Sequence, residues 1–88
     1  MTRRAFPARR PVVCACCRRR YKAGVLITRA PDWLIANLYT EIQYGRLPGW
    51  ILVGHLRQIE HRLRQTARLG SRDPLTQAWL EATGWHPN

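Results

Sequence analysis

Apolar residues recur with a helical period through the C-terminal two-thirds of the chain. The period starts after Pro31, and the clearest stripe is Leu52, Leu56, Ile59 and Leu63. Asp73-Pro74 is an N-cap residue followed by proline at the first helical position, which marks a further helix start. The pattern predicts three helices, over residues 31–44, 50–69 and 74–83.

The N-terminal third has a different pattern, with short β-branched runs in place of a helical stripe. Val12-Val13 and residues 25–28 flank a group of Cys and Arg residues, and residues 21–24 would supply a turn. Residues 1–11 hold two Arg pairs, two prolines and few side chains that could pack, which predicts a basic flexible arm. The predicted fold class is mainly α with a small β element: an N-terminal β-hairpin or knuckle followed by a compact three-helix body. Residues 12–88 would form one small domain.

The charge of the chain is concentrated in the first third. The 88 residues contain 15 Lys and Arg against 5 Asp and Glu, a formal net charge of +10. Residues 1–29 hold nine basic side chains and no acidic one, whereas residues 30–88 hold six Arg and all five acids. Such a balance favours a polyanionic partner, with nucleic acid as the first candidate.

Two segments fit contact with nucleic acid. Residues 18–22 place four cations and one aromatic ring in five consecutive positions, which suits phosphate contact beside a stacking surface. A second group of basic residues lies on the predicted helix over residues 50–69, on the face opposite the apolar stripe. The predicted nucleic-acid-binding residues are Arg9, Arg10, Arg18, Arg19, Arg20, Tyr21, Lys22, Arg57, His61, Arg64 and Arg68. The alternative interpretation is an ordinary solvated surface.

Three cysteines lie within four positions, Cys14-Ala15-Cys16-Cys17. An odd, clustered set is unlike the disulfide framework of a secreted domain, so a reduced, cytoplasmic protein is expected. Cys14 and Cys17 have the C-x-x-C spacing that places two thiolates on adjacent corners of a Zn²⁺ tetrahedron. With Val12-Val13 before them and Tyr21 after, they resemble the generic zinc knuckle of zinc ribbons and treble clefs. The resemblance implies zinc as a cofactor but points to no particular family.

The metal interpretation is incomplete because the chain has no second C-x-x-C. The candidates for the missing ligands are Cys16, His55, His61, His86 and Asp32. A zinc ion shared between the knuckles of a homodimer is the alternative. Two further interpretations stay open: buried cysteines with only a packing role, and a reactive thiol whose pKa the neighbouring arginines lower.

The sequence contains no pattern of catalytic residues. It lacks a nucleophile elbow, a phosphate-cradling glycine loop and an H-E-x-x-H motif, and its acids are scattered singly. The longest apolar run, residues 50–53, is far shorter than the ~20 residues that a membrane span needs. We therefore expect a small non-enzymatic nucleic-acid-binding protein or transcription regulator, which grips the phosphates of DNA or RNA through its basic N-terminal third.

Two alternatives come from other classes of protein. One is a modulator or inhibitor of the kind that phages and mobile elements encode, which binds a nucleic-acid-processing enzyme such as RNA polymerase or a CRISPR effector, alone or with its nucleic acid. Most of the four Trp residues are expected in the core, and any exposed Trp or Tyr would then anchor the contact. The other is a ribonuclease toxin with His61 as acid–base and Arg57 or Arg64 holding phosphate.

Overall fold

The computed structural model describes residues 4–37 and 49–86 of the chain. The described strands are β1 (Phe6–Pro7), β2 (Val12–Val13), β3 (Arg20–Tyr21), β4 (Leu26–Arg29) and β5 (Trp50–Leu52). The helices of the same residues are α1 (Asp32–Ala36), α2 (Val53–Arg68) and α3 (Pro74–Thr83). Of the residues described, 43% are helical and 18% are in strands.

The strands form two small antiparallel sheets. In the three-stranded sheet the order is β1-β4-β5, with Thr28 of β4 paired to Ile51 of β5. In the two-stranded sheet β2 pairs with β3, and Val12 lies opposite Tyr21. The two sheets meet where the backbone N–H of Ala15 donates to the carbonyl of Trp50 over 2.9 Å. This contact brings the cysteine turn next to β5.

The prediction of a mainly helical fold with a three-helix body is wrong, because the structure is a mixed α/β fold. The difference arises at Trp50–Leu52, which forms a strand, so that α2 begins at Val53 rather than at residue 50. Aromatic and β-branched side chains favour a strand that packs between neighbours, and Ile51 is completely buried. Because the apolar run continues directly into the helical stripe, periodicity alone could not locate the boundary.

The N-terminal third also differs from its prediction. β2 pairs with β3 around the cysteines, whereas β4, which the sequence paired with Val12-Val13, pairs with β1 and β5. The backbone of Ala8 bonds to Val25 and Gly24, and Ala8 is buried. Part of the segment predicted as a flexible arm, residues 1–11, is therefore held against the sheet.

The helices supply most of the core. Leu56 and Leu63 of α2 are buried and face α3, whose Trp79 is only 1% exposed. The α3 helix covers the residues that the sequence predicted: the Asp73 carboxylate accepts from the Thr76 N–H, and Gly84 ends the helix at φ +66°. For the predicted helix over residues 31–44, the structure describes α1 as far as Ala36, and residues 38–44 lie outside the described residues.

Candidate metal centre

Four metal-ligating side chains converge where the cysteine turn meets the start of α2. Cys14, Cys16 and Cys17 come from the turn between β2 and β3, and His55 comes from the first turn of α2. Their ligand atoms all lie within 4.8 Å of one another. Cys14 is buried, Cys17 and His55 are half-buried, and Cys16 is exposed. We call these four residues the Cys₃His cluster.

The ligand atoms of the Cys₃His cluster lie about as far apart as those around one tetrahedral ion. His55 Nδ1 lies 3.4 Å from the Sγ atoms of Cys14 and Cys16 and 3.9 Å from that of Cys17. The Cys14 and Cys16 Sγ atoms are 3.4 Å apart. A zinc ion with Zn–S near 2.3 Å and Zn–N near 2.0–2.1 Å separates its tetrahedral ligands by about 3.6–3.8 Å. The cluster can therefore hold a metal ion with small adjustments of side-chain torsions.

Backbone hydrogen bonds of the turn bring the three thiols together. The Cys14 N–H donates to the Arg19 carbonyl over 3.0 Å, and the Arg18 N–H donates to the Cys14 carbonyl over 2.7 Å. Arg18 completes the turn in the left-handed region, at φ +60°. That conformation is costly for a residue with a side chain and persists where the surroundings fix the turn. We call residues 12–21, from β2 through this turn to β3, the knuckle.

The thiols of the cluster differ in acidity. Cys16 is exposed as a residue, but the protein atoms around its sulfur exclude part of the water, and this desolvation, followed by the neighbouring Cys14, raises the pKa of its thiol to about 12. A hydrogen bond from the Tyr21 hydroxyl lowers the pKa of Cys17. Thiolates this close repel one another, so a cation is the partner that lets all three be deprotonated together.

Tyr21 lies behind the cluster as a supporting residue. Its hydroxyl is 3.3 Å from Cys17 Sγ, and its ring meets the His55 ring edge-on at 5.9 Å between centroids. The sequence predicted Tyr21 as a stacking surface for a base, but the structure places it half-buried against two of the ligands. Hydrogen bonds of this kind orient metal ligands and tune their affinity.

Replacing Tyr21 by Phe should weaken zinc binding by about 10-fold, because the Cys17 thiolate loses its donor. Competition with a chromophoric chelator measures this affinity. The circular dichroism spectrum with excess zinc is the control, and it should match that of the wild type. An unchanged zinc affinity would show that the Tyr21 hydroxyl has no part in the metal centre.

The predicted basic residues of the N-terminal third all lie at the surface. Arg9 and Arg10 are exposed beside β1 and β2. Three basic residues of the knuckle and Lys22, which follows it, are also exposed. We call these four residues the knuckle cations: Arg18, Arg19, Arg20 and Lys22. They follow the three cysteines directly in the chain, at the end of the turn, on β3 and immediately after it. The metal centre and the densest positive charge therefore belong to one small unit.

The four residues of the predicted basic face of α2 have two different surroundings in the structure: two are exposed to solvent, and two pack on tryptophan rings. Arg57 and His61 are exposed. The Arg64 guanidinium lies 5.9 Å from the centroid of the Trp79 ring, and that of Arg68 lies 5.5 Å from Trp85. These two arginines pack on aromatic rings of the C-terminal region, in cation–π contacts that stabilise the fold.

Sequence reasoning missed residues on the side of α2 that faces the knuckle. Gln58 and Arg62 share a pocket with Cys16, Cys17 and His55. Arg62 is seven positions after His55, so the two side chains fall on the same helix face. This seven-residue spacing identifies Arg62 as a neighbour of the cluster only when His55 is already known to lie beside the cysteines. His61, also weighed as a ligand, lies instead beside Gln65, with 3.4 Å between their Nε2 atoms.

All four donors of the Cys₃His cluster come from one chain, so a four-donor set can form without a second copy of the knuckle. Within residues 4–37 and 49–86, no helix is long and apolar enough to pass through a bilayer.

Comparison of this chain with protein-family models, with curated proteins and with solved structures found no match.

Proposed function

We propose that this protein is a small, non-enzymatic nucleic-acid-binding protein in which one zinc ion shapes the basic surface. The observation that carries the proposal is that three of the four Cys₃His ligands belong to the knuckle, the same short segment that leads into the exposed knuckle cations. The zinc ion would be structural, and the knuckle cations would contact the phosphates.

The donor atoms favour zinc over other common ions. Mg²⁺ and Ca²⁺ prefer oxygen ligands, whereas three sulfur atoms and one imidazole nitrogen suit zinc. Four protein ligands also fill a tetrahedral coordination sphere and leave no position for a reacting water. This closed set is typical of a structural site, which supports a non-enzymatic role.

A bound ion would solve a stability problem of the knuckle. β2 and β3 have only two residues each, and an isolated two-stranded hairpin is marginally stable at best. The knuckle cations repel one another and oppose its folding further. Zinc coordination by three residues of the turn and by His55 of α2 would fix the knuckle to the helical part of the domain.

The charge distribution supports a polyanionic partner. The acidic residues of the described ranges, Asp32, Glu60, Asp73 and Glu81, lie on α1, α2, α3 and the turn before α3 rather than on the knuckle. The side chains of Arg19, Arg20 and Lys22 are exposed, and we propose that they contact phosphates, whose counterions are released on binding.

Titration of the zinc-loaded protein with labelled single-stranded and duplex oligonucleotides, at two salt concentrations, tests the proposal. If about five phosphates are contacted, the affinity for a single strand should fall roughly 100-fold between 50 and 200 mM salt. No binding to either form at the lower salt would contradict it and would favour a protein partner instead.

A further inference from the structure

A pocket of about 430 Å³ lies beside the metal centre, between the knuckle, α2 and α3. Its apolar wall is formed by Ile59, Leu63 and Leu75. The pocket is also lined by Gln58 and Arg62, which are exposed, and by Cys16, Cys17 and His55 of the Cys₃His cluster. The pocket therefore combines an apolar interior with one cation and one amide at its rim.

We infer that this pocket receives one unpaired base of a single-stranded nucleic acid, while Arg62 and the knuckle cations hold the flanking phosphates. The inference rests on the proposed function and deepens it, because it names the form of the nucleic acid and the site that selects it.

The lining matches a base in its chemistry. The flat faces of a base are apolar and would contact the side chains of Ile59, Leu63 and Leu75, which removes apolar surface from water. The side-chain amide of Gln58 offers both a donor and an acceptor to the edge of the base. None of the residues that line this pocket is Asp or Glu. The three thiolates of a zinc-loaded Cys₃His cluster would outweigh the charge of one Zn²⁺, so the attraction of a negatively charged strand depends on Arg62 and the knuckle cations.

Arg62 connects the pocket to the outer face of α2. It also borders a shallow groove of about 420 Å³, together with Arg57, Gln58, His61 and Gln65. On the other side of the pocket, Cys17 leads directly into Arg18 and the other knuckle cations. A strand could pass from the knuckle across the pocket to this groove with positive charge along its path.

The pocket discriminates against a duplex. Bases in a duplex are stacked and paired, so they reach a recessed apolar site only after unstacking, which costs a few kcal/mol per base. In single strands the bases are free to turn outward, and sequence-tolerant binding proteins use this freedom. The knuckle cations alone would bind both forms, so a preference for single strands would come from the pocket.

The test compares two pocket variants with a control for charge. Gln58→Ala removes the exposed amide at the rim, and Leu75→Gln makes the apolar wall polar without changing the charge. Gln58 is exposed, so its variant remains informative if Leu75→Gln folds poorly. Each is titrated with a single-stranded oligonucleotide, with a duplex and with a single strand of equal length whose central nucleotides are abasic. Arg62→Ala is compared with Arg4→Ala, which removes another exposed arginine that does not line the pocket.

We expect the wild-type protein to bind the single strand at least 10-fold more tightly than the duplex or the abasic strand. Gln58→Ala and Leu75→Gln should lower the affinity for the intact single strand by about 5- to 10-fold and leave that for the abasic strand unchanged. Arg62→Ala should weaken binding of both single strands and lower the salt slope by about 1, whereas Arg4→Ala should change it less.

Equal affinities for the intact and abasic strands, or pocket variants that behave like the wild type, would overturn the base-binding pocket. In that case the salt-dependent binding would remain, and the proposed function with it. A protein that binds none of the oligonucleotides would contradict the proposed function itself, so the two failures are distinguishable.

Discussion

Removing the metal with a strong chelator is expected to unfold the knuckle and to destabilise the whole domain. Structural zinc sites contribute on the order of 10 kcal/mol of apparent binding free energy, and this binding is coupled to folding. A small domain has a total stability of only about 5–15 kcal/mol. Cys14 and Ala15 are buried in the same core as Trp79, so the loss would extend beyond the turn.

Thermal unfolding, followed by circular dichroism with and without chelator, measures this effect. The midpoint should fall by tens of degrees, and added Zn²⁺ should restore it while added Mg²⁺ should not. The two histidines of α2 provide matched variants: His55→Ala should reproduce the loss in the presence of zinc, and His61→Ala should not. An unchanged midpoint after chelation of zinc-loaded protein would show that the fold does not depend on the ion.

The second large effect is expected from neutralising the knuckle cations. Replacing Arg19, Arg20 and Lys22 together by Ala should lower the affinity for single-stranded nucleic acid by about 100-fold and reduce the salt slope by about 2. Arg18 is retained in this variant because it holds the left-handed position of the turn. The side chains replaced are exposed, so the fold and the zinc content should be unchanged.

A variant with Arg4 and Arg72 replaced by Ala is the control for net charge, since both are exposed and lie outside the knuckle. Its affinity should fall by less than about 10-fold, because neither arginine belongs to the knuckle or lines the pocket beside it. If both variants lost affinity in proportion to the charge removed, the binding would be spread over the surface rather than located at the knuckle.

The sequence predicted part of the metal centre because its signal is local. The C-x-x-C spacing of Cys14 and Cys17 identified the turn, and His55 was one of several candidates for completing the site. His55 could not be selected from the sequence, since its place beside the cysteines depends on β5. That strand ends at Leu52 and directs the first turn of α2 toward the knuckle.

The fold was predictable where caps and periodicity agree. Asp73, Pro74 and Gly84 mark the ends of α3, and the structure has the helix between them. The prediction failed at residues 50–53, where one apolar run contains both β5 and the first residue of α2. From the sequence alone this run resembles the start of a helix, because the pairing of Trp50–Leu52 with β4 is not visible there. The basic face of α2 illustrates a further limit: periodicity placed Arg64 on an outer face, but it could not show that the ring of Trp79 lies there.

The zinc content of the purified protein tests the central claim most directly. Elemental analysis of protein that has never met a chelator should give one zinc ion per chain. The same measurement on His55→Ala should give a markedly lower content, while His61→Ala should keep one. A content near zero in the wild-type protein would contradict the metal centre. A content of one half per chain would instead assign the ion to a dimer and contradict a complete site within one chain.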